Sequence, residues 1–134
     1  MSPRRYPLTP MCATIKPTRA TYMQVADVRL LDDWAVHLGQ MFGNEVPYLV
    51  GSALIKPDHR DVDVRIVLDD DAYANLAACV SINRLNVCLS LWGKTVTGLP
   101  IDCQVQQQTE ANRLYGRLGV PCRNALGISD WGKP

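Results

Sequence analysis

The chain has almost no net charge to act with: 14 Lys and Arg stand against 13 Asp and Glu, a formal +1 over 134 residues. Such a molecule has no global field to draw in nucleic acid or a membrane surface, so any anionic ligand must be held by a local site. No apolar run approaches the ~20 residues of a membrane span. Soft-metal ligands are scarce: there are 2 histidines, and 5 cysteines (Cys12, Cys79, Cys88, Cys103, Cys122) at scattered spacings without a C-x-x-C pair. That pattern argues against a zinc cage and a disulfide framework, and predicts thiols that pack in the reducing setting of a cytoplasmic protein. The opening MSPRRYPLTP carries arginines but is broken by prolines, with no apolar core behind them, so it does not read as a secretion signal. Repeats and low-complexity linkers are lacking too.

What is present is the balance of a globular chain. Hydrophobic residues make up 47% and charged residues 20%, and the length suffices for one core but not two. Residues 1–20 read as an irregular N-terminal arm rich in Pro, Thr and Arg, and 21–134 as the folded domain. From Met23 to Phe42 the apolar positions Val28, Leu31, Ala35, Leu38 and Phe42 recur at three and four, with Asp27, Asp32, Asp33 and Gln40 on other faces. That spacing predicts an amphipathic helix, ended by Gly39 or by Gly43-Asn44. Pro47 to Gly51 reads as a buried strand entering a turn, Ala53 to Arg60 as a polar connection, and the β-branched run Asp61 to Leu68 as a second strand. Asp69-Asp70-Asp71 is a helix start. The helix it opens carries Tyr73, Leu76, Ala77, Val80, Val87 and Leu91, with a break near Ser81 and a stop at Gly93 and Gly98. Ile101 to Val105 reads as a third strand, Thr109-Glu110 as one further helical turn, and the chain from Gly116 as a tail. The expected architecture is α+β, a small mixed β-sheet covered by helices.

Asp61 and Asp63 lie i, i+2 on the second strand, which turns both carboxylates to one face and Val62 and Val64 to the other. Side by side, two carboxylates repel, and each favours its protonated form unless a cation lies between them. A hard divalent ion such as Mg²⁺ resolves the conflict and pairs naturally with substrate phosphates. Taken alone, Asp-Val-Asp is more often a solvated acidic strand face. Its context is Gly51-Ser52, where a glycine admits backbone N–H groups close to a phosphate and a hydroxyl adds a donor. A third acid, Asp102, sits between Ile101 and Cys103 in a strand-like segment.

The run Tyr48-Leu49-Val50-Gly51-Ser52, then Arg60-Asp61-Val62-Asp63-Val64, then Ile101-Asp102, resembles the signature of the DNA polymerase β-type nucleotidyltransferase superfamily. In size the chain is similar to the minimal nucleotidyltransferases, including those paired with partner proteins in bacteria and phages. The resemblance implies a nucleotidyltransferase (polymerase β-like) fold. It also implies an enzyme that moves a nucleoside monophosphate from a nucleoside triphosphate such as ATP to a hydroxyl of RNA, protein or a small molecule. It makes Asp61, Asp63 and Asp102 the catalytic and metal-binding set for two Mg²⁺ ions, with Asp102 orienting or deprotonating the attacking hydroxyl. Gly51 and Ser52 would hold the β- and γ-phosphates, with Lys56 and Arg60 as a basic lip beside His59. Two ions about 3.5–4 Å apart suit this chemistry because they stabilise both the attacking and the leaving oxygens. Larger relatives grip the acceptor with an added helical domain for which this chain has little room, so a homodimer or a partner chain is expected to complete the site.

Arg65 falls on the acids' face and Arg60 stands where the family commonly has Ser. Together with the loop Ala53 to Arg60, which is short and lacks the small or Gly-rich sequence often seen after Gly-Ser, Arg65 keeps open a catalytically degenerate module of the same fold that binds nucleotide or a partner without turnover. The remaining signals are weaker. Gly93-Lys94-Thr95 resembles the end of a P-loop, but Cys88 stands where its first glycine is required. Trp34, Trp92 and Trp131 are expected in packing, Gln104 and Gln106 to Gln108 as the polar end of an edge strand, and Arg113, Arg117 and Arg123 as a modest cationic set.

Overall fold

The computed structural model describes residues 21–54, 56, 60–115 and 123–128. The expected N-terminal arm, His59, Arg117, Cys12, Cys122 and Trp131 lie outside the described residues.

Helix α1 (Val25–Met41) follows the predicted periodicity, and Leu31, Ala35 and Leu38 on one stripe are fully buried together with Trp34. Gly43 and Asn44, at φ 71° and 66°, turn the chain out of the helix in the left-handed region. Two details differ from expectation. Gly39 does not stop α1 but lies inside it, where a Cβ would strike the carbonyl oxygen of Glu45. Asp32, expected on the polar face, is buried, and its Oδ1 accepts the Gly127 N–H at 2.9 Å.

Strand β1 (Tyr48–Val50) runs into a 3-10 turn at Gly51–Leu54. The turn buries Ala53 and Leu54, so the start of the expected polar connection belongs to the core. Strand β2 (Val62–Leu68) sinks Val62, Val64, Ile66 and Leu68 on one face. Asp69 caps α2 (Asp70–Cys79) by accepting the Ala72 N–H at 2.8 Å. Ser81 caps α3 (Ile82–Thr97) by accepting the Arg84 N–H, which gives the break its physical cause. Strand β3 (Ile101–Gln107), helix α4 (Gln108–Tyr115) and strand β4 (Arg123–Ala125) complete the described chain. The last of these falls in what reads from sequence as tail.

Helix α3 ends at Gly98 (φ 74°), and Gly93 is no terminator. A Cβ on Gly93 would lie 2.9 Å from the Trp34 ring and 3.0 Å from Ile101 Cγ2, so the glycine sits mid-helix to let α3 approach α1. Trp34 and Trp92 meet edge to face at 5.6 Å and 77°, which fills the space between the two helices. Val80, Val87 and Leu91, assigned to the apolar side of this region, are exposed instead. Cys103 packs as expected, its thiol pushed up to about 12 chiefly by burial, whereas Cys79 and Cys88 are exposed rather than packed.

The sheet order is β3-β2-β1-β4, with β1 antiparallel to both β2 and β4, and β2 parallel to β3. A parallel pair needs a crossover, and α2 and α3 supply it. The fold is therefore α+β with a small mixed sheet. Its edge strand β3 is not left bare. Asn86 Oδ1 accepts the Val105 N–H at 2.8 Å and Ser90 Oγ accepts the Cys103 N–H at 2.8 Å. Four residues of helix rise about 6 Å and two residues of strand about 6.6 Å, so side chains one turn apart match alternate N–H groups of an antiparallel-running strand. Among the described residues no single helix is long and apolar enough to cross a membrane.

Candidate functional site

Strand periodicity does most of the work of assembling the site. With Val62, Val64 and Ile66 of β2 and Ile101, Cys103 and Val105 of β3 committed to the core, the intervening residues share the opposite face. The register pairs Asp63 directly with Asp102, and Arg65 with Gln104. Across β2, Asp63 pairs with Val50, and Val50 in turn with Arg123 of β4. One row therefore reads Asp102, Asp63, Val50, Arg123, at the end of the sheet where β1 leaves and the other three strands begin. Asp61 lies one residue before β2 and is exposed.

The carboxylates interact. Asp63 is pushed above the usual 3.8, first by burial, against the lowering effect of Arg65; Asp102 and Asp61 add to the rise. Carboxylates this close repel, and burial disfavours the charged form, which is the direction of the shift. The expected neutralising guanidinium is present but turned aside. Arg65 is buried, and its Nη1 donates to the backbone carbonyls of Val64 and Asp102, both at 3.0 Å, while Nε has no partner. It supplies positive potential without clamping a carboxylate.

Gly51 closes the site from the β1 side. Its φ of 79° is left-handed, and a Cβ there would overlap the Asp63 carboxylate, so glycine is required twice over. Ser52 is half-buried in the same turn. Lys56, whose backbone N–H donates to the Ser52 carbonyl, and Arg60, the expected basic lip, are both exposed. Sequence reasoning missed the placement of Arg123, whose guanidinium lies 4.8 Å from the Tyr48 ring centroid while Nη2 donates to Asn112 Oδ1 at 3.0 Å. The signal for it was the three-residue strand β4, too short to show a period.

Among the described residues no three His, Cys, Asp or Glu side chains form a ready-made metal cage. The donor set nonetheless fits a hard divalent ion. Asp63 and Asp102 are paired across neighbouring strands, and a cation between them would relieve the repulsion that raises Asp63. Mg²⁺ takes only one or two protein carboxylates and fills its shell with water and phosphate, so a preformed cage is not its requirement.

Beside the acids lies an open groove of about 540 Å³ between α3 and β3, lined in part by Asp61, Asp102, Leu91 and Lys94. Compared with known families, curated proteins and solved structures, the chain matches none.

Proposed function

We propose that the chain is a metal-dependent nucleotidyltransferase of the polymerase β-like type, using Mg²⁺ to move a nucleoside monophosphate from a nucleoside triphosphate to a hydroxyl acceptor. The observation that carries this reading is the direct pairing of Asp63 with Asp102 on neighbouring parallel strands, with Gly51 against the Asp63 carboxylate. Paired carboxylates cost stability unless a cation and its phosphate ligands use them.

In this reading Asp61, Asp63 and Asp102 hold the metal, two ions in all, which neutralises the carboxylates and the phosphate oxygens when bound. Gly51 admits the turn's backbone to the β- and γ-phosphates, and Ser52 offers its hydroxyl to them. The acceptor oxygen attacks the α-phosphorus and forms the new P–O bond. The bond from that phosphorus to the bridging oxygen breaks, and pyrophosphate leaves with the electron pair. The acceptor's proton passes to the Asp102 carboxylate. Positioning and charge compensation supply most of the acceleration.

A degenerate nucleotide- or partner-binding module is the second reading, favoured by Arg65, which lowers the charge the acids would otherwise present to a metal. Incubating the protein with Mg²⁺, each triphosphate labelled at the α-phosphate, and cell extract separates the two. The enzyme yields labelled product that disappears in Asp63→Ala and persists in an exposed-surface variant such as Gln40→Ala. Binding without label transfer leaves the module.

A further inference from the structure

The groove beside the acids has its own chemistry, ordered along its length. Helix α3 contributes Asn83, Val87, Leu91 and Lys94, spaced four, four and three apart, which places them on one face over about 16 Å. Val87 and Leu91 are 58% and 56% exposed, an unusual placement for two apolar side chains one turn apart. The Lys94 ammonium makes no hydrogen bond or ion pair among the described residues. The facing wall is β3, running the other way, as the Asn86–Val105 and Ser90–Cys103 bonds require. The cation Lys94 therefore shares one end of the groove with Asp102. The carboxamide of Asn83 marks the other end, with Gln104 two residues along β3 from Asp102. At about 540 Å³ the groove falls within the roughly 300–1,000 Å³ typical of small-ligand sites.

Strand order says which substrate this groove can serve. The Gly51–Ser52 turn follows β1 and lies on one flank of Asp63, whereas β3 and the groove lie on the other. In-line displacement places the attacking and leaving oxygens on opposite sides of the phosphorus. With pyrophosphate leaving toward Gly51 and Ser52, the hydroxyl must arrive from the β3 side.

We propose that the α3–β3 groove is the acceptor site, and that the acceptor is a nucleotide hydroxyl. Its base lies flat on Val87 and Leu91, the carboxamides of Asn83 and Gln104 meet its polar edge, its phosphate meets Lys94, and its hydroxyl reaches Asp102. This inference rests on the nucleotidyl-transfer reading for the direction of attack, while the groove's composition stands apart from it. A serine or tyrosine side chain of a protein acceptor has neither an anionic group for Lys94 nor a ring edge with several donors and acceptors for the two carboxamides.

The test is calorimetric titration of the full chain with a nucleoside 5′-monophosphate, a short oligoribonucleotide bearing a free 3′-hydroxyl, and a Ser/Tyr-containing peptide, in wild type, Leu91→Glu and Lys94→Glu. Both substituted residues are exposed, so the variants are expected to fold, and unchanged thermal melts check this. The expected result is nucleotide or RNA binding weakened at least tenfold in both variants, with affinity for Mg²⁺ and triphosphate unchanged. Tighter binding of the oligonucleotide than of the monophosphate marks an RNA end, and equal binding marks a free nucleotide. Nucleotide binding that neither variant weakens, or binding of the peptide alone, overturns the acceptor assignment and leaves triphosphate binding at the acids as it was. Groove-dependent nucleotide binding with no triphosphate binding at the acids removes the transfer reading and leaves a nucleotide groove.

Discussion

Asp63 and Asp102 stand directly opposite each other on adjacent parallel strands, both turned away from the core and close enough that each carboxylate disfavours charge on the other. Two acids in that relation form a charge-storing element. Burial and the neighbouring carboxylates raise the Asp63 carboxyl above its usual value, and a cation between the two acids would relieve their repulsion.

This has a consequence for stability against pH. Because the Asp63 carboxyl is held above 3.8, the folded chain binds a proton that the unfolded chain gives up. The stability it contributes is fully present below pH ~4 and is lost as pH rises through the elevated value. Asp63→Asn keeps a neutral donor toward Asp102 at every pH. In chelator at pH 7 the variant should melt above wild type, a difference read from thermal melts. The difference should vanish near pH 4 and shrink when Mg²⁺ is added, because the ion stabilises wild type alone.

Gly51→Ala tests the β1 side of the site. An L-residue at φ 79° costs about 1–2 kcal/mol, and the new methyl group must displace the Asp63 carboxylate. A melt should report the modest stability loss, and calorimetry should show triphosphate affinity in Mg²⁺ falling at least tenfold.

Gly93→Ala sets two effects against each other. Alanine improves a helix interior by about 1 kcal/mol, but its Cβ would press on Trp34 at 2.9 Å and Ile101 at 3.0 Å, both buried and hemmed in. Overpacking costs about 1–3 kcal/mol and should win, giving a net loss of about 1 kcal/mol in denaturant titration.

The edge of β3 makes a local prediction. Ser90→Ala and Asn86→Ala each leave a strand N–H without its acceptor, at about 1–3 kcal/mol. Hydrogen exchange should accelerate at Cys103 in the first variant and at Val105 in the second, with the Val62–Leu68 strand protected in both.

The acids and glycine were legible in sequence because each follows a local rule: alternation puts Asp63 opposite the core, and an apolar run ending in Gly-Ser marks a turn. The strand pairing that unites Asp63 with Asp102 spans 39 positions and no local rule contains it. Residues whose roles depend on distant partners were misread. Gly93 looks like a stop until Trp34 is placed against it, and Asp32 looks solvent-facing until the Gly127 N–H reaches it. Val87 and Leu91 look like core on a helical wheel, yet α3 turns Leu89 and Gly93 inward and leaves those two in the groove. Strand β4 escaped for a different reason, since three residues of Arg-Asn-Ala carry neither an apolar run nor alternation.

The measurement that bears most directly on the central claim is calorimetric titration of a nucleoside triphosphate into wild type and Asp102→Asn, each with and without Mg²⁺. The account predicts saturable binding to wild type that needs Mg²⁺ and weakens at least tenfold in the variant. Triphosphate binding of equal strength in both proteins, or binding indifferent to Mg²⁺, would contradict it.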